Sequence, residues 1–346
     1  MPADGLPDFY AVSPAEQAER LTALARRALQ RWPGAYADLK LVKHRENAVF
    51  SATRDDGRRI ALRVHRHAYH SDEALRSELA WIGALADHGL QVPPVLPPAH
   101  GDLFTHVDCE GVPEPRQVDM LGWVEGVPIG SVEDGLQLDE ADPVGLFRDI
   151  GALAAQLHQQ AAAWSRPADF RRHAWDEDGL IGPQPFWGRF LDLPLLTASQ
   201  RRLLETARDR AALDLADYGK APSRYGLIHA DFAPENLLRN ERGLVLIDFD
   251  DCGYGWHMFE LATVLFLRFG EGRYSAYVEA MFAGYDQVRR LPDADRRSLP
   301  LFLFLRGTTY LGWIQTRYET EFARELAPSF IGRVCDVAAA YLDGGA

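Results

Sequence analysis

Two short segments in the second half of the chain carry the side chains with the clearest chemical signature. Residues 229–236 read HADFAPEN, and residues 246–251 read LIDFDD. An apolar stretch typical of a short strand introduces each segment, at residues 227–229 and 244–249. Two strands would therefore deliver several carboxylates and one amide to the same edge of the molecule.

The residue types in these segments favour phosphoryl transfer. Crowded carboxylates repel one another unless a cation neutralises them, and the oxygens of Asp and Asn are ligands that suit Mg²⁺. Phosphoryl transfer needs an Asp that takes the hydroxyl proton, together with Asn and Asp oxygens on a Mg²⁺ that bridges the phosphates. The alternative is a set of loop caps and surface acids, which the residue types, the spacing and the flanking strands together disfavour.

The pattern H-x-D-x-x-x-x-N followed by I-D-F-D resembles the aminoglycoside/choline/homoserine phosphotransferase family. The resemblance extends over roughly residues 40–317 and is nearest the homoserine-kinase-like and bacterial stress-response kinase branches. Features shared with these branches are residues 46–50 (ENAVF), 248–251 (DFDD) and 305–314 (LRGTTYLGWI). The resemblance implies an α+β, two-lobed, protein-kinase-like fold with a small antiparallel β-rich N-lobe carrying one helix and a larger, mostly helical C-lobe.

The same resemblance implies a role for each matched residue. Asp231 corresponds to the catalytic base that accepts the substrate hydroxyl proton, and Asn236 to the amide that binds Mg²⁺. Asp248 occupies the position of the metal-binding Asp, and His229 that of the histidine bracing the catalytic loop. A buried structural histidine is an equal alternative for His229. Glu260 stands where the family usually has an Asp that holds the loop backbone.

Further acids and the late helix are candidates for metal and acceptor contacts. Asp250 is assigned to the metal and Asp251 to the acceptor, with capping and salt bridges as the alternative for both. Tyr310, Trp313 and Arg317 recur at helical spacing, and Arg306 precedes them on the same predicted helix. In the resembled branch this helix borders the acceptor site, while ordinary packing of an aromatic stripe is the alternative. The Trp- and His-rich segment 173–187 would be either a lid over the acceptor or a surface insertion.

The first half of the chain is expected to bind the nucleotide. In kinases a strand Lys pairs with a helix Glu and contacts the phosphates. Glu78 fits the helix partner, with one more exposed helix acid as the alternative. The Lys position holds Arg63, which grips phosphate through a planar fork and is not interchangeable with Lys; its alternative is a surface salt bridge. Asn47 would help to cover the phosphates in place of a GxGxxG loop, and Leu121 and Trp123 would offer hinge backbone groups to adenine.

Local patterns predict the elements that position these side chains. Ser13, Pro14 and Glu16 start a helix as a capping box, and Asp55-Asp56-Gly57 is typical of a hairpin turn. Other strands are predicted at 38–44, 48–54, 59–65, 104–107 and 118–124, and other helices from Ser71 to Gly89, from Asp142-Pro143 to Trp164, over about 197–215, and for most of the chain from His257 onward. The predicted domains are 1–122, a nucleotide-binding lobe whose first helix spans about 13–31, and 123–346, a helical catalytic and substrate lobe.

The composition restricts the classes of partner. The 346 residues include 50 acidic and 37 basic side chains, for a formal net charge of −13. This balance argues against proteins that coat nucleic acid or an anionic membrane. Cys109, Cys252 and Cys335 are too far apart for a CxxC site and make no disulfide framework. No signal-peptide or membrane-spanning pattern is visible, which predicts a cytoplasmic protein.

These observations predict an ATP-dependent, Mg²⁺-requiring kinase without nucleic-acid or membrane partners. Its acceptor would be a hydroxyl of a small molecule such as an amino alcohol, an aminoglycoside or a homoserine-like compound. The alternatives are a Ser/Thr protein kinase of the bacterial stress-response type and a nucleotide-binding pseudokinase, which the Arg at position 63 keeps open. Metal-dependent hydrolysis is disfavoured because paired His ligands are missing from the motif.

Overall fold

The computed structural model describes residues 8–44, 47–131, 135–137 and 142–344 of the chain. They form two compact units. The first contains the described residues of Met1–Glu125 together with Arg166–Arg171, and the second those of Gly126–Ser165 and Arg172–Ala346. Glu46, the first residue of the ENAVF feature, lies outside the described residues. The assignment of nucleotide binding to the first predicted domain stays a prediction.

The first unit is built on one antiparallel sheet with two helices. Its elements in chain order are α1 (Pro14–Leu29), β1 (Tyr36–His44), β2 (Ala48–Arg54), β3 (Arg59–Val64), α2 (Asp72–Asp87), β4 (Thr105–Cys109) and β5 (Val112–Gly122). The strand order is β1-β2-β3-β5-β4, and each neighbouring pair is antiparallel. Apolar side chains of α1, such as Leu24, share one buried core with Phe50 and Leu62 of the sheet. Each of these elements was predicted from sequence, except that β5 begins at Val112, six residues before the predicted start.

The predicted capping box at the start of α1 is only half formed. The Ser13 hydroxyl accepts a hydrogen bond from the Glu16 amide at 3.3 Å, and Pro14 takes the first helical position, where a missing N–H costs nothing. The second arm of the predicted capping box is replaced, because the Glu16 carboxylate accepts from Arg20 at 2.5 Å. A charge-assisted pair one turn away competes successfully with the neutral backbone donor.

The second unit is mostly helical and contains three small sheets. Its strands are β6 (Val127–Pro128), β7 (Gly130–Ser131), β8 (Gly135–Leu136), β9 (Ala174–Trp175), β10 (Tyr225–Ile228), β11 (Leu237–Asn240), β12 (Gly243–Leu246) and β13 (Gly253–Trp256). Its helices are α3 (Pro143–Ala163), α4 (Glu177–Ile181), α5 (Ala198–Tyr218), α6 (His257–Phe266), α7 (Tyr274–Asp286), α8 (Asp293–Arg296), α9 (Leu299–Thr316) and α10 (Glu321–Leu342). The predicted α+β class, with a β-rich first part and a helical second part, is confirmed.

Strand ends position the two chemical segments. The strand β10 ends immediately before His229, and it pairs with β13 in one sheet. The strand β12 ends two residues before Asp248 and pairs with β11, which follows Asn236 directly.

Almost every residue of α9 is buried, as expected for a helix that is apolar on all faces. None of the described helices combines the length and the apolarity that crossing a membrane requires.

Candidate active site

Residues 229–236, the candidate catalytic loop, begin with a strained turn. After β10 the chain passes through Ala230, whose φ is +68°. A positive φ is unfavourable for a residue with a Cβ and persists only where neighbouring groups hold it. A 3₁₀ turn at Pro234–Asn236 follows and brings residue 236 back towards residue 231. The loop is therefore a compact unit whose geometry depends on side chains from other elements.

Glu260 on α6 holds this turn. Its Oε1 accepts from the N–H of His229 and its Oε2 from the N–H of Ala230, with both N–O distances at 2.8 Å. The side chain is fully buried, and burial raises the pKa of Glu260 to about 7, against the opposing effects of His229 and the two amide donors. The longer Glu thus holds the loop backbone in the way the resemblance implies for a carboxylate at this position.

Replacing Glu260 with Gln is expected to destabilise the protein and to remove a pH dependence. One of the two amide N–H groups would then face an amide donor, at a cost of about 1–3 kcal/mol. Because the pKa of Glu260 is raised from 4.5 to about 7, folding favours its protonated form. Its contribution to stability is therefore complete below pH 4.5 and is lost as the pH rises through about 7. Urea unfolding across this range should show wild-type stability falling relative to the variant, and parallel profiles would contradict the raised pKa.

His229 braces the loop from the opposite side. Its Nδ1 accepts from the N–H of Asp231 at 3.2 Å, so the ring proton lies on Nε2, which donates to the carbonyl of Ile247 at 3.0 Å. The ring is fully buried and meets the ring of Phe249 edge-on, with centroids 4.6 Å apart. His229 therefore ties the loop to the end of the segment that carries Asp248.

Both carboxylate oxygens of Asp231 accept hydrogen bonds. Oδ2 accepts from Nδ2 of Asn236 at 2.7 Å, and Oδ1 accepts from Nη2 of Arg306 at 2.8 Å. The same Nδ2 of Asn236 also reaches the Asp231 carbonyl, at 3.1 Å. Because the amide nitrogen of Asn236 faces Asp231, its side-chain oxygen is the atom that could ligate a metal ion. The geometry thus joins the predicted base to the predicted amide ligand.

Three more carboxylates belong to the acidic segment 248–251. Asp248 is exposed, with a φ of +64°, while Asp250 is buried and Asp251 is half-buried. Burial, together with the charges of Asp231, Asp250 and Asp248, raises the pKa of Asp251 well above its usual value. A donor set of carboxylates and an amide oxygen fits a hard divalent cation such as Mg²⁺. Among the described residues no cluster of three or more His, Cys, Asp or Glu forms a metal site, so Asn236 and phosphate oxygens would have to complete the coordination.

The Trp- and His-rich segment 173–187, with Arg172 just before it, donates hydrogen bonds to the loop that carries Asp251. Nε of Arg172 donates to the carbonyl of Cys252 at 2.5 Å, and Nε1 of Trp175 donates to the carbonyl of Asp251 at 2.7 Å. Nε1 of Trp187 donates to Oδ1 of Asp251 at 3.2 Å. These contacts fix the Asp251 carboxylate beside an indole ring. The sequence analysis gave Trp187 only as the end of this segment and assigned it no contact, because an indole carries no motif.

The helix α9 contributes two of its three predicted residues to the loop. Arg306 and Tyr310 are buried, and Nη2 of Arg306 donates to the Tyr310 hydroxyl at 3.0 Å as well as to Asp231. Trp313 is half-buried, and its ring contacts are with Arg317 at 4.7 Å and Phe322 at 6.1 Å. A contact of the α9 residues with an acceptor stays a prediction.

In the first unit, Arg63 lies in a buried ion network. Its Nη1 donates to Glu78 at 2.8 Å, and its Nε and Nη2 donate to the two oxygens of Asp119 at 3.0 and 2.9 Å. His65 bonds to Asp119 at 2.5 Å, and all four side chains are buried. Burial acts to raise the pKa of Asp119, but the charge of Arg63 and the contact with His65 lower it. The sequence alternatives of an exposed Glu78 and a surface Arg63 are wrong, because both side chains are buried, Arg63 on β3 and Glu78 on α2.

Sequence reasoning missed Asp119 and His65 for a physical reason. Asp119 on β5 is the direct cross-strand partner of Arg63 on β3. The register between two strands so far apart in the chain cannot be predicted from the sequence of either strand alone. The apolar neighbours Val118 and Met120, both buried, were the available signal. Leu121 is apolar as well, so both faces of this strand are apolar, and a charge within such a strand needs a buried partner.

The remaining predicted nucleotide residues have local contacts. Oδ1 of Asn47 accepts from the N–H of Arg66 at 3.1 Å. Leu121 is buried on β5. The N–H of Trp123 donates to the carbonyl of Arg59 at 3.2 Å, and the Arg59 guanidinium lies 4.0 Å from the centre of the indole ring. Their assignment to phosphate and adenine stays a prediction.

Comparison with known proteins reveals extended similarity. A model of the phosphotransferase enzyme family matches residues 38–299. Amicoumacin kinase of Bacillus subtilis is 25% identical over 286 residues, which cover 79% of this chain and 79% of that protein. The structure of a microcompartment-associated aminopropanol kinase has a TM-score of 0.80 at 33% identity, covering 92% of this chain and 97% of the other.

A second solved structure supports the fold. An amicoumacin kinase in complex with AMP-PNP, Ca²⁺ and Ami has a TM-score of 0.74 at 20% identity, covering 94% of this chain and 96% of the other. The ligands of that complex include a nucleotide, AMP-PNP, and a divalent cation, Ca²⁺. The family match includes the candidate catalytic loop, 229–236, and the acidic segment 248–251. The chain therefore belongs to the phosphotransferase enzyme family, and it is an ATP-dependent phosphotransferase acting on a hydroxyl group of a small molecule.

Proposed function

We propose that the protein phosphorylates the hydroxyl group of a small cationic amino alcohol, using Mg²⁺–ATP, with Asp231 as the catalytic base. The acceptor oxygen forms a bond to the γ-phosphorus, the bond from that phosphorus to the β,γ-bridging oxygen breaks, and ADP leaves. The hydroxyl proton passes to Asp231. The observation that supports this proposal is the Asp231 carboxylate, which two donors orient and whose charge acts on Asp251.

The residues of the second unit have distinct tasks in this proposal. Asp231 orients the hydroxyl and takes its proton, which general-base catalysis requires to happen within hydrogen-bond reach. Asn236 and Asp248 would hold Mg²⁺, with Asp250 as a further ligand, and the ion would offset charge on the phosphates. His229 keeps the loop in place without touching the reacting atoms. ATP as the donor is consistent with a cytoplasmic reaction.

For the first unit we propose Arg63 and Glu78 as the phosphate-binding pair. The support is their direct contact at 2.8 Å, the counterpart of the Lys–Glu pair of kinases. The bidentate contact with Asp119 fixes the plane of the guanidinium, which Lys could not reproduce. Asn47 is proposed to assist at the phosphates, and the backbone near Leu121 and Trp123 to contact adenine.

The acceptor class rests on Asp251. Its carboxyl group lies near Asp231 and is not one of the proposed metal ligands, and Trp187 holds its Oδ1 in a fixed direction. An acceptor ammonium group would form a charge-assisted hydrogen bond with this carboxylate. The name of the aminopropanol kinase that is 33% identical to this chain is in accord with such an acceptor.

A comparison of matched acceptors tests this class. We expect aminopropanol to be phosphorylated, and propanediol, which replaces the amine with a neutral hydroxyl, to be a poor acceptor. Asp251→Asn is expected to raise the KM for aminopropanol by about 10–100-fold, as for the loss of a hydrogen bond to a charged group, while the KM for ATP stays within about twofold. The exposed Asp192 provides a matched control, Asp192→Asn. Equal use of both acceptors, or an unchanged KM in Asp251→Asn, would remove the support for an ammonium subsite.

A further inference from the structure

Arg306 is a charged side chain enclosed by aromatic rings. It is 1% exposed, and its guanidinium carbon lies 4.3, 5.0 and 5.9 Å from the ring centres of Tyr310, Trp187 and Phe259. Removing a guanidinium from water costs several kcal/mol unless its charge is paired and its donors are satisfied. The partners that meet this cost should therefore reveal what the side chain is for.

These partners belong mainly to the catalytic loop. Nη2 donates to Oδ1 of Asp231 at 2.8 Å, and Nη1 donates to the carbonyl of Ala230 at 3.2 Å. Nη2 also donates to the Tyr310 hydroxyl at 3.0 Å, one turn further along α9. Burial acts to lower the pKa of Arg306, but Tyr310 and Asp231 raise it above its ordinary value. Arg306 therefore keeps its positive charge although it is buried next to the loop.

The two donors to Asp231 act on different oxygens. Arg306 binds Oδ1 and Asn236 binds Oδ2, so rotation of the carboxylate would break both contacts. Each oxygen has a second lone-pair direction that can accept the hydroxyl proton. The hydrogen bond from Nη1 of Arg306 to the carbonyl of Ala230 also stabilises this residue in its positive-φ conformation. Orientation of the base and of the loop therefore depends on one side chain from α9.

We infer that Arg306 is a positioning residue for Asp231: it fixes the carboxylate and the adjacent turn in the orientation used for proton transfer, and it does not bind the acceptor. This inference rests on the proposed role of Asp231. A displacement of about 1 Å at a reacting group can lower a rate about 10²-fold. The effect should appear in kcat, because binding of ATP and of the acceptor would use other groups.

Arg306→Met and Arg306→Lys test the inference. The Met side chain keeps much of the length and removes the charge and the donors; we expect kcat to fall about 100-fold, with the KM values for ATP and acceptor within about threefold of wild type. Lys keeps the charge but cannot donate to both Asp231 and Ala230 as a fork, so kcat should recover partly. Arg333→Met is the matched control, because the half-buried Arg333 donates to carbonyls at the end of α6. It should leave kcat unchanged.

The outcomes separate this inference from the proposed function. A folded Arg306→Met protein with wild-type kcat overturns the inference alone, as does a variant whose acceptor KM rises while kcat is kept. If Arg306→Met does not fold, Arg306→Lys decides: a lowered kcat at wild-type melting temperature supports the inference, and an unchanged kcat overturns it. A wild-type protein that phosphorylates no acceptor overturns the proposed function and the inference with it.

Discussion

Asp231→Asn is expected to lower kcat roughly 10³-fold, within the range of about 10²–10⁴ that general-base catalysis contributes. The substitution keeps the volume of the side chain and removes the negative charge that takes the proton. One of the donors from Asn236 and Arg306 would then face an amide N–H, which adds to the loss of orientation. Turnover is measured as ADP release with aminopropanol, and nucleotide affinity by calorimetry with a non-hydrolysable ATP analogue.

The control for this experiment is Asp149→Asn. Asp149 is an exposed acid of the same unit, paired with Arg239 at 3.1 Å on the surface, and its loss should leave kcat unchanged. We expect nucleotide affinity in Asp231→Asn to stay within about threefold of wild type, since a general base contributes to proton transfer rather than to nucleotide binding. Retention of kcat within about tenfold would rule out Asp231 as the base. Wild-type protein that binds ATP but turns over no acceptor would instead favour a pseudokinase.

Arg63→Met is expected to destabilise the protein by about 3–5 kcal/mol, the usual cost of removing one partner from a buried ion pair. Glu78 and Asp119 both have 0% exposure, and each would lose its contact with the guanidinium. Arg63→Lys keeps the charge but cannot bind Asp119 through a fork while reaching Glu78, so its free energy of unfolding should lie between those of Arg63→Met and wild type. Urea unfolding measures both variants.

Arg58→Met is the matched control for the buried network. Arg58 is exposed and pairs with Asp56 at 2.6 Å in the turn between β2 and β3, so its loss should leave the unfolding midpoint close to wild type. A free energy of unfolding for Arg63→Met within about 1 kcal/mol of wild type would show that the network contributes little. The KM for ATP in Arg63→Lys tests the phosphate role separately, because this variant retains the charge.

The catalytic loop and the acidic segment were predictable because their information is local. Asp231 and Asn236 lie five residues apart, in one loop that a short apolar strand introduces, and Asp248 follows a second such strand. Strand patterns and short loops limit where these side chains can point. The fold class was predicted from the order of the elements, mainly strands in the first part of the chain and mainly helices in the second, together with the family resemblance.

Contacts between distant segments were not predictable in the same way. Arg63 and Asp119 meet only through the register of β3 and β5, and Trp187 reaches Asp251 across 64 residues. Arg306 was named as an acceptor residue because this helix borders the acceptor site in the resembled branch, but its bond to Asp231 depends on how α9 packs against the loop. Tertiary packing decides such contacts, and a single sequence without its structure carries little record of it.

The segment Arg166–Arg171 has a consequence for dissecting the protein. It belongs to the first unit, although residues on both sides of it belong to the second. Phe170 is buried there, and the N–H of Arg171 donates to Oγ of Ser77 at 2.8 Å. One proteolytic cut after Glu125 would therefore not release the first unit whole. A chimera that exchanges this unit with that of a relative must graft the six-residue segment as well.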